Sequence, residues 1–74
     1  GAPRRWRVRA LVGGDALAAQ FPGATVNGDT VDCDADLAGL NRGIAMAIAQ
    51  GALISSVTLA ESSLEEAFRS AVAR

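Results

Sequence analysis

Trp6, Val8, Ala10 and Val12 alternate with Arg5, Arg7, Arg9 and Leu11. A period of two residues is the signature of a strand with one face buried and the other wet. Gly13-Gly14-Asp15 breaks the alternation. Asp15 is placed to cap a short helix over 16–21 that turns Leu17, Ala18 and Phe21 inward, and Pro22-Gly23 stops it. The β-prone runs 24–26 and 30–34 flank Asn27-Gly28-Asp29. Asn-Gly between two such runs predicts a hairpin with Asn27-Gly28 at its tip. Ala24 and Val26 then share one face of the second strand, and Val31 and Cys33 share one face of the third. Thr30, Asp32 and Asp34 fall on the third strand's other face.

Asp34 or Asp36 can cap the next helix, in which Leu37, Leu40, Ile44, Ala47 and Ile48 recur at helical spacing until Gly51 supplies a C-terminal stop. Leu53, Ser55, Val57 and Leu59 alternate with Ile54, Ser56 and Thr58 in a fourth strand. The last fourteen residues carry a marked helix start, since Ser62 and Ser63 each have a glutamate three positions on, Glu65 and Glu66. Behind that start, Leu64, Ala67, Phe68, Ala71 and Val72 form one apolar stripe. The order is βαββαβ followed by a helix. With short connections and right-handed crossovers it predicts an α+β fold, a ferredoxin-like antiparallel sandwich with strand order 4-1-3-2 and a C-terminal helix. The first and third strands are neighbours in that order, so Arg7 and Arg9 are expected on the open face beside Thr30, Asp32 and Asp34. The expected core is Trp6, Val8, Leu17, Phe21, Val31, Leu40, Ile44, Ile48, Val57, Leu64 and Phe68.

Seventy-four residues are enough for one domain, read as 4–74, with 1–3 as a tag remnant or linker. A chain of this length buries only about 60% of the surface its unfolded form exposes, so its stability is marginal. Half the residues are hydrophobic, yet sixteen are alanine, and the aromatic residues are Trp6, Phe21 and Phe68. The core is therefore small-residue packing around a few Leu, Ile and Val side chains. A net charge of −1 creates no field that would gather nucleic acid or an anionic membrane. Cys33 is the single cysteine and has no internal disulfide partner. The lone cysteine fits a reducing compartment, and no apolar run approaches the roughly 20 residues that span a bilayer, so a soluble domain is expected.

Little catalytic chemistry is on offer. With no histidine and one cysteine, no His/Cys metal cluster can form. Cys33 lies on the apolar parity of its strand and reads as a buried structural thiol. The serines have no histidine or lysine to activate them, and Ser62 and Ser63 are accounted for as caps. Asp34, Asp36, Glu65 and Glu66 fall in first helical turns, where negative charge complements the macrodipole. Gly13-Gly14-Asp15 follows a strand and opens a helix but matches no phosphate-binding spacing, and reads as a tight turn. Arg4, Arg5, Arg7 and Arg9 are the only basic cluster. An RNA-reading sheet also needs stacking aromatics, and Trp6, the sole aromatic there, has the opposite parity.

The phrase Ser63-Leu64-Glu65-Glu66-Ala67-Phe68, closing a chain after a short strand, resembles the end of the C-terminal accessory domain of ABC-type drug and antibiotic exporter ATP-binding subunits. The likeness extends over nearly the whole chain: a strand similar to 6–11, a phrase like Phe21-Pro22-Gly23-Ala24, a hairpin like 26–31, a helix opening like Asp36-Leu37-Ala38-Gly39-Leu40-Asn41, and a strand like 54–59. It departs at Ala52-Leu53-Ile54, where Gly-Ile-x-Val is usual, and at Ser62, where proline is common. The resemblance implies a non-catalytic regulatory or dimer-supporting module without cofactor, since this chain lacks a Walker A loop, Walker B carboxylates, the signature loop and the switch histidine. Its implied partners are the ATPase core, a second copy of itself and, indirectly, a membrane permease, with no nucleic acid. The implied place is the cytoplasm, peripheral to the cell membrane, in drug export and antibiotic resistance.

The stripe on the terminal helix has two uses. It covers the fold's own core or an open edge of its sheet, or it docks on another protein through Leu64, Phe68 and Val72. A different class of function is a stand-alone ferredoxin-like domain sensing a small molecule near Gly13-Gly14 or Ser55-Ser56. An acylphosphatase-like enzyme would need Arg9 and Asn41 to converge on a phosphate.

Overall fold

The structure is a computed structural model that describes residues 2–60. The closing helix expected from the Ser62/Ser63 caps, together with Leu64 and Phe68 of the expected core, lies outside them. β1 (Arg4–Val12), α1 (Gly14–Ala18), β2 (Thr25–Asn27), β3 (Thr30–Ala35), α2 (Leu37–Ala49) and β4 (Leu53–Leu59) follow in that order. The strands make one sheet in the order β2-β3-β1-β4, and each neighbouring pair is antiparallel. Both helices pack on one side of it, giving a small α+β layer pair.

The alternation in β1 sorts its side chains as expected. Val8 stands opposite Val31, and Trp6 opposite Cys33, on the helix side. These residues join Ala10, Leu17, Phe21, Leu40, Ala47 and Ala52 in a single core. Leu17, Val8, Val31 and Cys33 are the largest fully buried side chains. At roughly 1.5–3 kcal/mol for burying a Val or Leu, so few large groups leave a thin margin. Trp6 is half-buried, and its indole N–H donates to the Ala35 carbonyl at 2.8 Å, so the polar edge of the ring has a partner.

α1 is shorter than expected, ending at Ala18, with Leu17 buried and Phe21 reached in the turns beyond it. Its N-cap is Gly13, not Asp15, and no side chain caps it. The reason is steric. Gly13 has φ +80° and lies against Ala52, where an added Cβ would be 2.8 Å from the Ala52 Cα. Only glycine allows both that φ and that approach.

The hairpin forms one position later than the Asn-Gly reading placed it. Asn27 pairs with Thr30, which leaves Gly28-Asp29 as the two-residue loop, with Gly28 at φ +61°. Glycine at the first loop position is what a type II′ turn requires, so glycine, not asparagine, sets the register. The Thr30 hydroxyl donates to the Asn27 carbonyl at 2.8 Å and closes the turn.

α2 is bounded as its sequence predicts. Asp36 Oδ1 accepts from the Gly39 N–H at 2.7 Å. At the far end Ala52 N–H donates to the Ala47 carbonyl and Gly51 N–H to the Ile48 carbonyl, with Gly51 at φ +101°. Those two bonds define a Schellman stop. Along the buried row, Gly43 lies beneath the Phe21 ring, and a Cβ there would be 2.8 Å from both Cε atoms.

β4 departs from simple alternation. Arg9 pairs with Ser56 and Ala10 with Ile54, so Ser55 is an extra residue, and Leu11 is the matching extra residue in β1. These bulges put Ile54 on the same helix-facing side as Val57 and Leu59. Two expected core members are surface residues: Val57 is 40% exposed and Ile48 52%. β4 is an edge strand, and no described element lies over its outer half. Ile44 is only partly buried, for the same reason.

Candidate interaction surface

Three features of the described residues are available for contact. On the open face of the sheet, register places Arg5 opposite Asp34 and Arg7 opposite Asp32. Arg7 is bidentate to Asp32, Nε donating to Oδ1 at 3.0 Å and Nη2 to Oδ2 at 3.1 Å. Arg5 Nη1 donates to both Asp34 oxygens at 3.2 Å. Arg9 stands opposite Thr30 and comes within 4.0 Å of Asp29. The arginines and aspartates therefore share one face, as expected from neighbouring first and third strands. Arg9 finds its acid in the hairpin instead of on β3. The hydrogen bond from Arg7 holds the Asp32 carboxyl below its ordinary pKa, and the same bond raises that of Arg7. Ser56 and Thr58 stand across β1 from Arg9 and Arg7, so the middle of the face is polar, while the exposed pair Val12 and Leu53 lies at its end beyond the bulges.

The second feature is apolar. Leu37, Ile44 and Ile48 occupy the flank of α2 away from α1, as their spacing of seven and then four residues dictates. Next to that flank, the helix side of β4 presents Ile54, Val57 and Leu59. Leu37 is 63% and Leu59 45% exposed. The third feature is an open cleft of about 250 Å³ on the opposite flank of α2, where Gln20, Phe21, Arg42 and Met46 meet.

The sequence-derived sites fall as follows. Leu64, Phe68 and Val72, the expected interaction residues, lie outside the described residues. Cys33 is buried in the core, and its burial pushes the thiol pKa up, with Asp34 adding to the shift. That agrees with a structural role. Arg9 points from the open face, whereas Asn41 is on α2 across the sheet and donates to the Leu37 carbonyl at 2.8 Å. The two cannot converge on one phosphate. Gly13 is packed against Ala52, the Ser55 hydroxyl donates to the Arg9 carbonyl at 3.4 Å, and the cleft described beside Phe21 is lined by neither Gly13-Gly14 nor Ser55-Ser56. Among the described residues no group of three or more His, Cys, Asp or Glu is placed to hold a metal, and no helix is long and apolar enough to cross a membrane.

Sequence reasoning missed the apolar flank. Its signal was the β4 alternation, which placed Val57 inward without asking what covers an edge strand. Compared with known protein families, with curated proteins and with solved structures, the chain finds no match.

Proposed function

We propose that this chain is a non-catalytic regulatory or assembly domain that follows the ATP-binding core of an ABC-type drug or antibiotic exporter. The observation that carries this is the closing phrase Ser63-Leu64-Glu65-Glu66-Ala67-Phe68 after β4. The sheet lends support: read from the β4 edge its order is 4-1-3-2, with β1 beside β3 and both helices on one face, as a ferredoxin-like split βαβ sandwich requires. The residue inventory points the same way, because a chain without lysine or histidine supplies neither the P-loop lysine nor a switch histidine for nucleotide chemistry. The domain acts by packing. Its partners are the ATPase core of its own subunit, a second copy and, through them, a membrane permease, so it works in the cytoplasm at the membrane periphery.

The test is to read the gene upstream of Arg4 and to titrate the purified chain with Mg-ATP. A Walker A loop and an exporter signature upstream, with no shift in melting temperature, are expected. Absence of both motifs refutes the exporter assignment. The cleft beside Phe21 and Arg42 then favours a second reading, a stand-alone domain sensing a small molecule, at a place other than Gly13-Gly14 or Ser55-Ser56.

A further inference from the structure

The apolar flank formed by α2 and β4 is a partly exposed apolar surface among the described residues. α1 contacts β1, β2 and β3 and packs against α2, while α2 reaches β3 and β4. Among the described residues, α2 is the helix that packs along the β4 side of the helix layer, and α1 lies on the other side. Because the chain reverses at Gly51, the order of α2 and β4 runs Ile48 toward the start of β4 and Leu37 toward its end, which puts the exposed Ile48, Val57, Leu59 and Leu37 on the same flank. An apolar strip of this kind is covered in stable monomers or used in contact.

We infer that residues 61–74 of this same chain cover the strip, laying Leu64, Phe68 and Val72 along Leu59, Val57 and Ile48. Three facts select this occupant. First, the segment starts at the strip: Ala60 is buried, and its N–H still donates to the Arg5 carbonyl at 2.9 Å, so Glu61 emerges at the Leu59 end. Second, the lengths agree. Twelve helical residues from Ser63 to Arg74 extend about 18 Å at 1.5 Å each. The seven residues of β4 extend about 20 Å back along the strip from Leu59 to Leu53. Third, the chemistry is complementary: an apolar stripe five residues long meets an apolar strip, and the segment's Glu65, Glu66 and Arg69 fall off the stripe toward water. Both surfaces belong to this chain, so the packing holds whether or not it serves a transporter.

The test uses the whole 74-residue chain with labelled methyl groups and measures nuclear Overhauser contacts from the Phe68 ring. Contacts to the Val57, Leu59 or Ile48 methyls within one molecule are expected. Phe68→Asp is expected to abolish them and to shift those three residues' resonances while leaving Val26, on the far edge strand, in place. A sample mixing labelled and unlabelled chains separates the occupants. Contacts seen only between different copies assign the strip to a second copy and overturn the proposal, as does the absence of any contact in the unmutated chain. The unmutated chain alone decides the matter if Phe68→Asp fails to fold.

Discussion

Gly43→Ala is a sharp test of the core, because two effects of opposite sign meet at that position. In a helix interior alanine is favoured over glycine by about 1 kcal/mol. Here the added methyl would sit 2.8 Å from both Cε atoms of Phe21, a ring that is only 5% exposed and belongs to the core cluster. Overpacking of this kind costs about 1–3 kcal/mol, and the upper part of that range applies when three ring carbons are involved. The net expectation is a loss of about 1–2 kcal/mol, or about 5–15 °C in melting temperature for a domain this small. In a Phe21→Leu background the outer ring atoms are gone, so the same Gly43→Ala change should become neutral or stabilise by up to about 1 kcal/mol. Gly14→Ala is the control: nothing lies within 4 Å of its added Cβ. It should stabilise slightly. Urea midpoints for the four members of the cycle and the control give the answer. A Gly43→Ala chain as stable as Gly14→Ala would refute the packing described for Phe21.

Two other expectations are independent of that contact. Asp36→Ala removes the cap that accepts from Gly39 at 2.7 Å and should cost about 1 kcal/mol, read as a lower melting temperature that Asp36→Ser largely restores. Asp32 titrates below its ordinary value of 3.8 in the fold, so its ionised form stabilises the fold above that value, and this contribution is lost as pH falls through the lowered pKa. The stability advantage of the unmutated chain over Asp32→Asn should therefore be full at neutral pH and vanish in strong acid, and a gap constant across the whole range in thermal melts counts against the ion pair.

Local signals and their positions in the fold account for what the sequence made legible. The alternation in β1 sorted Val8 and Ala10 from Arg7 and Arg9 because that strand is central and has a covered and an open side. α2 was legible at both ends, since Asp36 and Gly51 act on backbone groups within a few residues of themselves. Where the outcome depended on distant residues, reading failed. Gly13 rather than Asp15 is the N-cap of α1, in a left-handed conformation packed so close to Ala52, far along the chain, that only glycine fits. The bulge at Ser55 is fixed by pairing with β1, so a period-two count along β4 could not see that Ile54 joins Val57's side. Val57 and Ile48 have core-like sequence context and are still exposed, because burial depends on what lies above an edge strand. The candidate surface was thus legible as apolar residues but not as a surface.

The fate of the closing segment bears on how such a domain could meet a partner. If residues 61–74 cover the strip along α2 and β4 as proposed, the open face of the sheet is the broad surface left among the described residues, and it carries Arg5, Arg7, Asp32, Asp34, Ser56 and Thr58. Its ion pairs are already made. Burying them under a partner would remove charged groups from water without creating new pairs, so the gain in affinity is small and salt-sensitive. A partner recruited from solution needs a buried apolar or aromatic anchor at the centre of the contact, and the middle of this face offers only polar and charged side chains, with Val12 and Leu53 at its end. A partner joined to the domain in one polypeptide does not need one, because tethering through a short linker supplies an effective concentration of about millimolar. A polar, weakly adhesive face is therefore compatible with a domain attached to the protein it regulates, and poorly suited to one that must find its target by diffusion.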